Sequence, residues 1–327
     1  MLVIVVQLTR GGTDVTVVPN NTYSLDTVHD PIPRGGTRIE PPNERLTITM
    51  TSKAGDSDSK KVCLLTGASG TIGSAIARAL KASSTSWHII VIGRRPPTQE
   101  SSAPFFDTYL SANLTDESSV NSNLDYYFDN LDITMQSLNR LDLLINCAGC
   151  SLGNVPLVDL SADTFREVLE VNLVAPFILS KWAMIKMASN TVTAVSDGGG
   201  CGRIINIGSI AVEAPRLHSL PYTVSKVALS GLTRCLSIEG RYLAKTTKSS
   251  NTVRDDASFV AVCQINPGNV RSAIMSEEEA ARREKEEGFV NVDDLGMYVA
   301  MVANLPLGAN VLESTIMPTR QPLIGRG

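Results

Sequence analysis

Five short apolar runs recur along the chain, and the segments between them have the spacing of amphipathic helices. The runs are rich in Val, Ile and Leu, which is typical of strands that are buried on both faces. Strands that alternate with helices form parallel sheets, because a parallel connection needs a crossover. We therefore expect an α/β fold with a doubly wound parallel sheet and strands at 62–66, 87–93, 141–146, 203–208 and 259–266. The predicted helices include 159–189, 222–240 and the charged, solvated segment 276–287.

Glycines are concentrated in the loop that follows the first run. This stretch, Thr66–Gly73, reads T-G-A-S-G-T-I-G and opens an apolar helix. Glycines at such a turn let the backbone approach a pyrophosphate, whose charge is stabilised by unpaired N–H groups at the helix N-terminus. The alternative is a plain strand-to-helix turn. The context predicts a Rossmann-type fold that binds a dinucleotide through Gly67, Ser69, Gly70, Thr71, Ile72 and Gly73.

The end of the second predicted strand carries two arginines, Arg94 and Arg95, and no acidic residue. An acid at this place bonds the ribose hydroxyls of NAD, whereas the 2′-phosphate of NADP needs positive charge. Arginine matches phosphate geometry and is permanently charged. We therefore predict that NADP(H) is preferred over NAD(H); the alternative is a pair of solvated surface arginines.

Composition excludes several classes of function. The chain has 43% hydrophobic and 19% charged residues and a net charge of −4, so we expect a soluble globular protein that does not bind nucleic acid. Its N-terminal apolar run is too short to cross a bilayer, and we predict no membrane association. The six cysteines are scattered through apolar segments, as in a reduced cytoplasmic protein. Cys147 and Cys150 form the only C-x-x-C pair, so we predict no metal site.

The first 57 residues differ from the rest of the chain. Turn-forming clusters such as D-P-I-P-R-G-G at 30–36 break any helical period. We expect residues 1–57 to be an irregular N-terminal extension, disordered or dispensable, and residues 58–327 to form a single domain. A start of translation at Met50 would still give this whole domain. This leads to the hypothesis that residues 1–49 are dispensable, or are not translated.

Six motifs along residues 60–275 resemble the short-chain dehydrogenase/reductase family in order and spacing. The resemblance implies a Rossmann-type catalytic domain over 58–327. The motifs are the loop Thr66–Gly73, N-C-A-G at Asn146–Gly149, Asn172, Ser209 thirteen residues before Tyr222, Y-T-V-S-K at Tyr222–Lys226, and N-P-G at 266–268.

The cofactor loop departs from the common pattern of the family. A glycine stands at position 70, whereas position 71, the family's usual glycine, is Thr71. The loop length is unchanged, so we expect cofactor binding to survive with a local difference in the backbone. The resemblance implies further cofactor contacts from Asn113, Leu114, Asn146, Ala148, Gly149, Tyr222, Lys226, Pro267, Gly268, Val270 and Ser272.

The resemblance also implies a mechanism, and the residue types agree with it. Reduction of a carbonyl needs an acid, and a phenol with a pKa near 10 is a poor one unaided. Lys226 lies one helical turn from Tyr222 and is expected to lower its pKa. Ser209 is expected to hydrogen-bond the substrate oxygen, and Asn172 to hold a water that links Lys226 to solvent. Taken singly, each of these residues could instead be an ordinary surface or capping residue.

The substrate is the least determined part of the prediction. Arg216 and Arg271 are candidates to bind an anion, although solvated rim charges are the more common arrangement. The C-terminal segment resembles members that use NADP on small hydroxy acids and carbonyl compounds. We therefore expect a small-molecule alcohol or carbonyl substrate and, by resemblance, a homodimer or homotetramer. The alternative is a catalytically silent sensor or scaffold of the same fold that binds NADP(H).

Overall fold

One parallel sheet forms the centre of the fold in the computed structural model, which describes residues 60–97, 105–132, 134–190, 200–246, 259–271, 275 and 277–323. Seven strands pair in the order β3-β2-β1-β4-β5-β6-β7, and every neighbouring pair is parallel. The predicted fold class is therefore confirmed. The strands are β1 Lys61–Thr66, β2 Trp87–Gly93, β3 Thr108–Ser111, β4 Leu143–Asn146, β5 Gly200–Ile207, β6 Phe259–Pro267 and β7 Glu313–Ile316.

All five strands predicted from the apolar runs are present, with shifts of up to three residues at their ends. The apolar runs did not predict β3, because its four residues, T-Y-L-S, are only partly buried and do not form an apolar run. The strand β7 corresponds to the C-terminal segment that resembled the last strand of the family.

Helices cover both faces of the sheet. One layer contains α1 and α7 and packs against Leu65 and its neighbours, and the other contains α2, α4 and α5 and packs against Leu64. Adjacent residues of one strand therefore enter different cores, as the alternation of side chains along a strand requires. The helices are α1 Thr71–Ala82, α2 Glu117–Asp129, α3 Ala162–Leu169, α4 Ala175–Ala188, α5 Leu220–Thr246, α6 Glu277–Glu286 and α7 Val292–Ala303.

The predicted helix at 159–189 is interrupted. A π-helical turn at Glu170–Val174 separates α3 from α4. Within the described residues, 162–188 is the one helical segment long and apolar enough to cross a membrane, and 56% of its most apolar window is buried inside the fold. Such burial is typical of a core helix.

The order of the strands creates a crevice at the carboxyl edge of the sheet. The chain runs from β1 outward to β3, then returns to β4 on the other side of β1 and continues to β7. Connections therefore leave β1 and β4 toward opposite faces, and ligands of open α/β sheets bind at such a switch point. The N-terminal extension predicted at 1–57 lies outside the described residues, so the domain boundary at 58 stays a prediction.

Candidate active site

The glycine loop after β1 is shaped by close backbone contacts. Gly67 has a φ of +71°, and a Cβ atom there would lie 2.7 Å from the backbone N of Ala148. A Cβ on Gly73 would lie 2.3 Å from the carbonyl oxygen of Gly67. Because both neighbours are backbone atoms, neither position accepts a side chain without a shift of the loop. The loop thus keeps its N–H groups open at the start of α1, which is the cradle that a pyrophosphate needs.

Gly70, which stands one position before the family's usual glycine, has an unstrained backbone. Gly70 is the N-cap of α1, with φ −93° and ψ 167°, and Thr71 is the first helical residue. The N–H of Gly70 donates to the carbonyl of Gly67 over 2.9 Å, which closes the turn. The hydroxyl oxygen of Thr66 accepts from the N–H groups of Cys147 and Ala148, both over 3.0 Å. The two loops that follow β1 and β4 are therefore held together.

A cleft of about 660 Å³ opens at the carboxyl ends of β1, β2, β3 and β4. Most of the predicted cofactor residues line it, and Arg94 and Arg95 are exposed there. The sequence reasoning did not name Thr115 or the acidic pair Glu167 and Glu170, whose spacing of three residues just before Asn172 was an available signal. The lining consists of Gly67, Ala68, Ser69, Gly70, Thr71, Ile72, Gly73, Val91, Ile92, Gly93, Arg94, Arg95, Asn113, Leu114, Thr115, Cys147, Ala148, Gly149, Cys150, Glu167, Glu170 and Val171.

Other predicted cofactor residues have a different environment. The side chain of Asn146 is buried below the cleft and donates to Ser180 Oγ and Asn206 Oδ1 over 3.2 and 2.8 Å. Pro267 ends β6, and Gly268 packs so closely on Gln321 that a Cβ would lie 2.5 Å from its Oε1 atom. Val270 is buried and pairs with Val290. Ser272 lies outside the described residues.

Three of the four predicted catalytic side chains, those of Ser209, Tyr222 and Lys226, converge beside this cleft. Ser209 follows β5, and its Oγ atom accepts from the N–H of Ala211 over 3.1 Å. Tyr222 lies in the first turn of α5, where the Ser209 hydroxyl is near enough to lower its pKa. The ammonium of Lys226 donates to the carbonyl of Ile207 over 2.9 Å and lies 5.7 Å from the centroid of the Tyr222 ring. The serine and lysine side chains are buried and the tyrosine is half-buried.

Burial dominates the electrostatics of this group. It lowers the pKa of Lys226 from 10.5 to about 8, because a desolvated ammonium is costly. Burial also raises the pKa of Tyr222, and the hydrogen bond from Ser209 offsets only part of that effect. The expectation that Lys226 lowers the tyrosine pKa stays a prediction, because desolvation sets the direction of the tyrosine pKa here and the ammonium is directed at the Ile207 carbonyl.

Asn172 lies in the π-helical turn between α3 and α4. Its amide donates to Cys150 O over 2.8 Å and to Ser225 Oγ over 2.9 Å, and its Oδ1 atom accepts from the N–H of Cys150 over 2.8 Å. The side chain thus joins the loop after β4 to helix α5. A Cβ on Gly149 would lie 3.2 Å from Asn172 Oδ1 and 3.7 Å from Lys226 Nζ, so both groups flank that glycine. π-Helical turns often occur at functional sites.

Both arginines proposed as anion ligands form ion pairs with acids of this chain. Arg216 is held by Glu287 and Asn269 over 3.0 and 2.7 Å. Arg271 forms an ion pair with Glu277 over 2.6 Å. The expectation that these residues meet an anionic substrate stays a prediction, and an anion would share each guanidinium with the carboxylate that already contacts it.

The fold and the converging serine, tyrosine and lysine define the protein as an oxidoreductase of the Rossmann type that acts on CH–OH or C=O groups. The family model for short chain dehydrogenases matches residues 61–283, which is more than half of the chain. The protein therefore belongs to the short-chain dehydrogenase family, as its motifs predicted.

Individual relatives agree with this assignment. The chain is 32% identical over 186 residues to 3-oxoacyl-[acyl-carrier-protein] reductase FabG of Salmonella typhimurium, covering 55% of this chain and 67% of that protein. The crystal structure of 3-ketoacyl-(acyl-carrier-protein) reductase from Brucella melitensis, complexed with NADH, has a TM-score of 0.63 at 18% identity and covers 80% of this chain and 98% of its own. An alcohol dehydrogenase from Thermococcus sibiricus, complexed with 5-hydroxy-NADP, has a TM-score of 0.58 at 19% identity with 80% and 98% coverage. At these identities the structural likeness shows the fold alone.

Proposed function

We propose that the protein interconverts a secondary alcohol or hydroxy acid and its carbonyl by hydride transfer, with NADP(H) as the preferred cofactor and Tyr222 as the acid/base. The observation that carries the proposal is the convergence of Ser209, Tyr222 and Lys226 at the edge of the glycine-lined cleft. The relatives with NADH and 5-hydroxy-NADP in their structures support a nicotinamide cofactor. The bound nicotinamide supplies or takes up the hydride.

The side chains of this chain supply the proton and orient the substrate. In reduction, the Tyr222 hydroxyl gives its proton to the carbonyl oxygen as negative charge develops there. The Ser209 hydroxyl donates a hydrogen bond to the same oxygen. The raised pKa keeps the tyrosine protonated at neutral pH, so this arrangement favours reduction, and oxidation of an alcohol needs a higher pH. Lys226, which keeps its charge below about pH 8, and Asn172 provide the path that returns a proton to the tyrosine.

Arg94 and Arg95 support the preference for NADP(H). Both are exposed on the wall of the cleft just after β2, where the adenosine ribose of a Rossmann-bound dinucleotide lies. No described carboxylate pairs with either guanidinium, so both can meet a phosphate. On the same wall, the Oδ1 atom of Asn113 accepts hydrogen bonds from the N–H and the hydroxyl of Thr115. The amide hydrogens of Asn113 are therefore the groups that it offers to a ligand.

Of the two proposed substrate groups, the mouth of the site favours secondary alcohols and their carbonyls over the negatively charged hydroxy acids. Arg216 and Arg271 are paired with acids, whereas Leu152, Leu217 and Leu220 are exposed by 42%, 77% and 39%. The loops that carry them are joined by a hydrogen bond from the N–H of Val155 to the carbonyl of His218 over 3.1 Å. Apolar rims of this kind suit neutral carbonyl compounds.

We also propose that the protein is a cytoplasmic homodimer or homotetramer. An exposed apolar stripe on α5 contains Val224, Val227 and Ile238, and Phe177 and Ile185 on α4 are also exposed. Exposed apolar residues on two neighbouring helices suit an isologous interface. No disulfide joins the six cysteines, all of which lie in the described residues, and this fits a reducing compartment. Light scattering coupled to size exclusion tests the assembly, and a monomer at micromolar concentration would contradict it.

The decisive experiment follows the absorbance of NADPH and NADH during reduction of ethyl acetoacetate and an acetoacetyl thioester. We expect a higher kcat/KM with NADPH, and Tyr222→Phe is expected to lower turnover by roughly 10²–10⁴-fold. The exposed Tyr126→Phe is the matched control. Full activity of Tyr222→Phe would contradict the mechanism, and tighter binding of NADH would contradict the cofactor preference. Tight NADPH binding without turnover on any alcohol or carbonyl favours a binding protein instead.

A further inference from the structure

A row of polar side chains crosses four neighbouring strands of the sheet. Asn146 on β4, Asn206 on β5, Gln264 on β6 and Glu313 on β7 are direct partners in the register of the sheet. The first three are at most 3% exposed. We call these four residues the amide row. Burying polar groups costs free energy unless they are hydrogen-bonded, so we expect each of these side chains to have a partner.

The amide row is linked through one hydroxyl of α5. Asn206 Nδ2 donates to Thr233 Oγ1 over 2.9 Å, and that hydroxyl contacts Gln264 Oε1 over 3.0 Å. Gln264 Nε2 then donates to Ser230 Oγ and to Asn266 Oδ1 over 2.6 and 2.7 Å. The row therefore continues to Asn266, which lies two residues further along β6.

Asn266 connects the amide row to the catalytic serine. Its Oδ1 atom accepts the backbone N–H of Ser209 over 3.2 Å, and its Nδ2 atom donates to Glu313 Oε1 over 3.0 Å. The side chain is 1% exposed. This amide is therefore a direct bridge between the last strand of the sheet and the backbone of the residue that touches Tyr222.

Glu313 fixes the direction of that bridge. An ionised carboxylate only accepts hydrogen bonds, so it requires the NH₂ group of Asn266 to point toward it. The oxygen of the amide then faces Ser209 and Gln264, and both present N–H donors. Arg234 pairs with Glu313 over 3.0 Å from the surface side. The orientation of the amide beside Ser209 thus follows from the position of a charge on β7.

Gly208, the residue before Ser209, leaves room for the side chains of Gln264 and Asn266. A Cβ on Gly208 would lie 2.0 Å from Asn266 Oδ1 and 2.6 Å from Gln264 Nε2. Neither amide can move away easily, because both are buried and hydrogen-bonded. Gly208, Gln264 and Asn266 are therefore one matched set, in which the two amides occupy the volume that a side chain at position 208 would need.

We propose that Asn266, oriented by Glu313, is a positioning residue that sets the backbone of Ser209 and thereby aims its hydroxyl at Tyr222 and the reacting oxygen. The proposal rests on the proposed reductase function. The serine hydroxyl already accepts from Ala211, and its remaining hydrogen-bonding directions are set by the backbone that Asn266 holds. Small displacements of a catalytic group reduce the rate strongly while leaving remote binding intact.

The test compares Asn266→Ala and the isosteric Glu313→Gln with the control Asn190→Ala. Asn190 is a buried amide at the opposite edge of the sheet, where it bonds to Leu141 and to Cys201 O. With NADPH and ethyl acetoacetate, we expect kcat to fall roughly 10–100-fold in Asn266→Ala and about 3–10-fold in Glu313→Gln. The KM for NADPH should change by less than about threefold in both, and Asn190→Ala should lose stability but keep its kcat.

A second measurement does not need turnover. Selective ¹⁵N-serine labelling reports hydrogen exchange at the amide of Ser209, which should become at least about tenfold faster in both test variants and stay unchanged in Asn190→Ala. Unchanged exchange and kcat in Glu313→Gln, which keeps the shape of the side chain, would overturn the proposal even if Asn266→Ala does not fold. Absence of wild-type turnover would contradict the proposed function alone, because the exchange measurement still decides the role of Asn266.

Discussion

The two ends of the parallel sheet each bury a cation, and they use it differently. Near the amino end, Arg203 is 1% exposed, and its guanidinium donates to Leu305 O, Pro306 O, Ala309 O and Asn310 Oδ1 over 2.9–3.3 Å. At the carboxyl end, Lys226 is 5% exposed, and its ammonium donates to one protein oxygen, that of Ile207. An ammonium has three donors, so Lys226 keeps capacity for groups in the cleft.

This difference is the one we expect between a structural cation and a functional one. Burial alone does not distinguish the two cations, because Arg203 and Lys226 are both buried and burial lowers the pKa of both. Arg203 closes the connection between α7 and β7 with four hydrogen bonds from its Nη1 and Nη2 groups, whereas its buried Nε–H has no partner among the described residues. The buried ammonium of Lys226 makes one hydrogen bond to protein, although it has three donors. Unsatisfied groups of this kind are typical of catalytic sites, which lower the stability of the folded protein. The comparison predicts opposite effects when each cation is removed.

The largest effect is expected at the amino end. Arg203→Met leaves four oxygens without their donor, so the free energy of unfolding should fall by about 3–5 kcal/mol. Urea denaturation measures it, and Arg78→Met, which breaks an exposed pair with Asp293, is the control with an expected change below about 1 kcal/mol. The kcat of the folded Arg203→Met protein should match the wild type. A variant as stable as the wild type would remove the distinction between the two ends.

The second effect has the opposite sign. The pKa of Lys226 falls from 10.5 to about 8 on folding. The charged form is therefore destabilised by roughly 3 kcal/mol, and the lost bond to Ile207 offsets about 1 kcal/mol. We expect Lys226→Met to be about 2 kcal/mol more stable at pH 7 and to lose activity by roughly 10²-fold or more.

The pH dependence gives the sign of this effect. Between about pH 8 and 10.5 the unfolded lysine is protonated and the folded one is neutral, so wild-type stability from this group rises with pH across that window. The advantage of Lys226→Met should accordingly shrink over the same range. Thermal unfolding at pH 7 and pH 10 distinguishes the outcomes, with the exposed Lys181→Met as control. A Lys226→Met protein that is less stable at pH 7 would contradict the comparison.

A smaller effect is expected on the cleft wall. Arg94→Gln and Arg95→Gln should each weaken NADPH binding by about tenfold, because one charge-assisted contact to a phosphate is lost. NADH binding should not change. Fluorescence titration of both cofactors measures the difference, and Arg78→Gln on α1 is the control. Equal losses for NADPH and NADH would show that the arginines act on the structure of the cleft and not on the 2′-phosphate.

The smallest effect concerns α6. Arg216 joins the loop after β5 to Glu287, just beyond the end of α6, and to Asn269. We expect Arg216→Met to raise the KM for ethyl acetoacetate by roughly 3–10-fold with a smaller change in kcat, because α6 loses its tie to the serine loop. Arg282→Met, whose ion pairs stay within α6, is the control. A fall in kcat alone would place Arg216 with the catalytic group instead.

Residues that act through the local backbone were predictable from the sequence. The glycine loop and the Tyr222–Lys226 pair were predicted because turn geometry and helical spacing link residues that are close in the chain, whereas Ser209 was predicted from the resemblance to the family. The partners of Asn172, Asn266 and Arg216 were not, because each contact joins segments far apart in the sequence. The side-chain partners of Asn146 were not predictable for the same reason: a residue type indicates what a side chain can bind, and its neighbours determine what it does bind.

The sequence by itself determined the parallel sheet and the position of the glycine loop, because apolar periodicity and short-range spacing encode them, and its resemblance to the family indicated the candidate catalytic side chains. Only the tertiary structure decided how these groups are charged and held. Burial sets the pKa values of Tyr222 and Lys226, and the orientation of the amide beside Ser209 depends on Glu313, which lies 104 residues further along the chain. Desolvation and long-range hydrogen bonds exist only after the chain has folded.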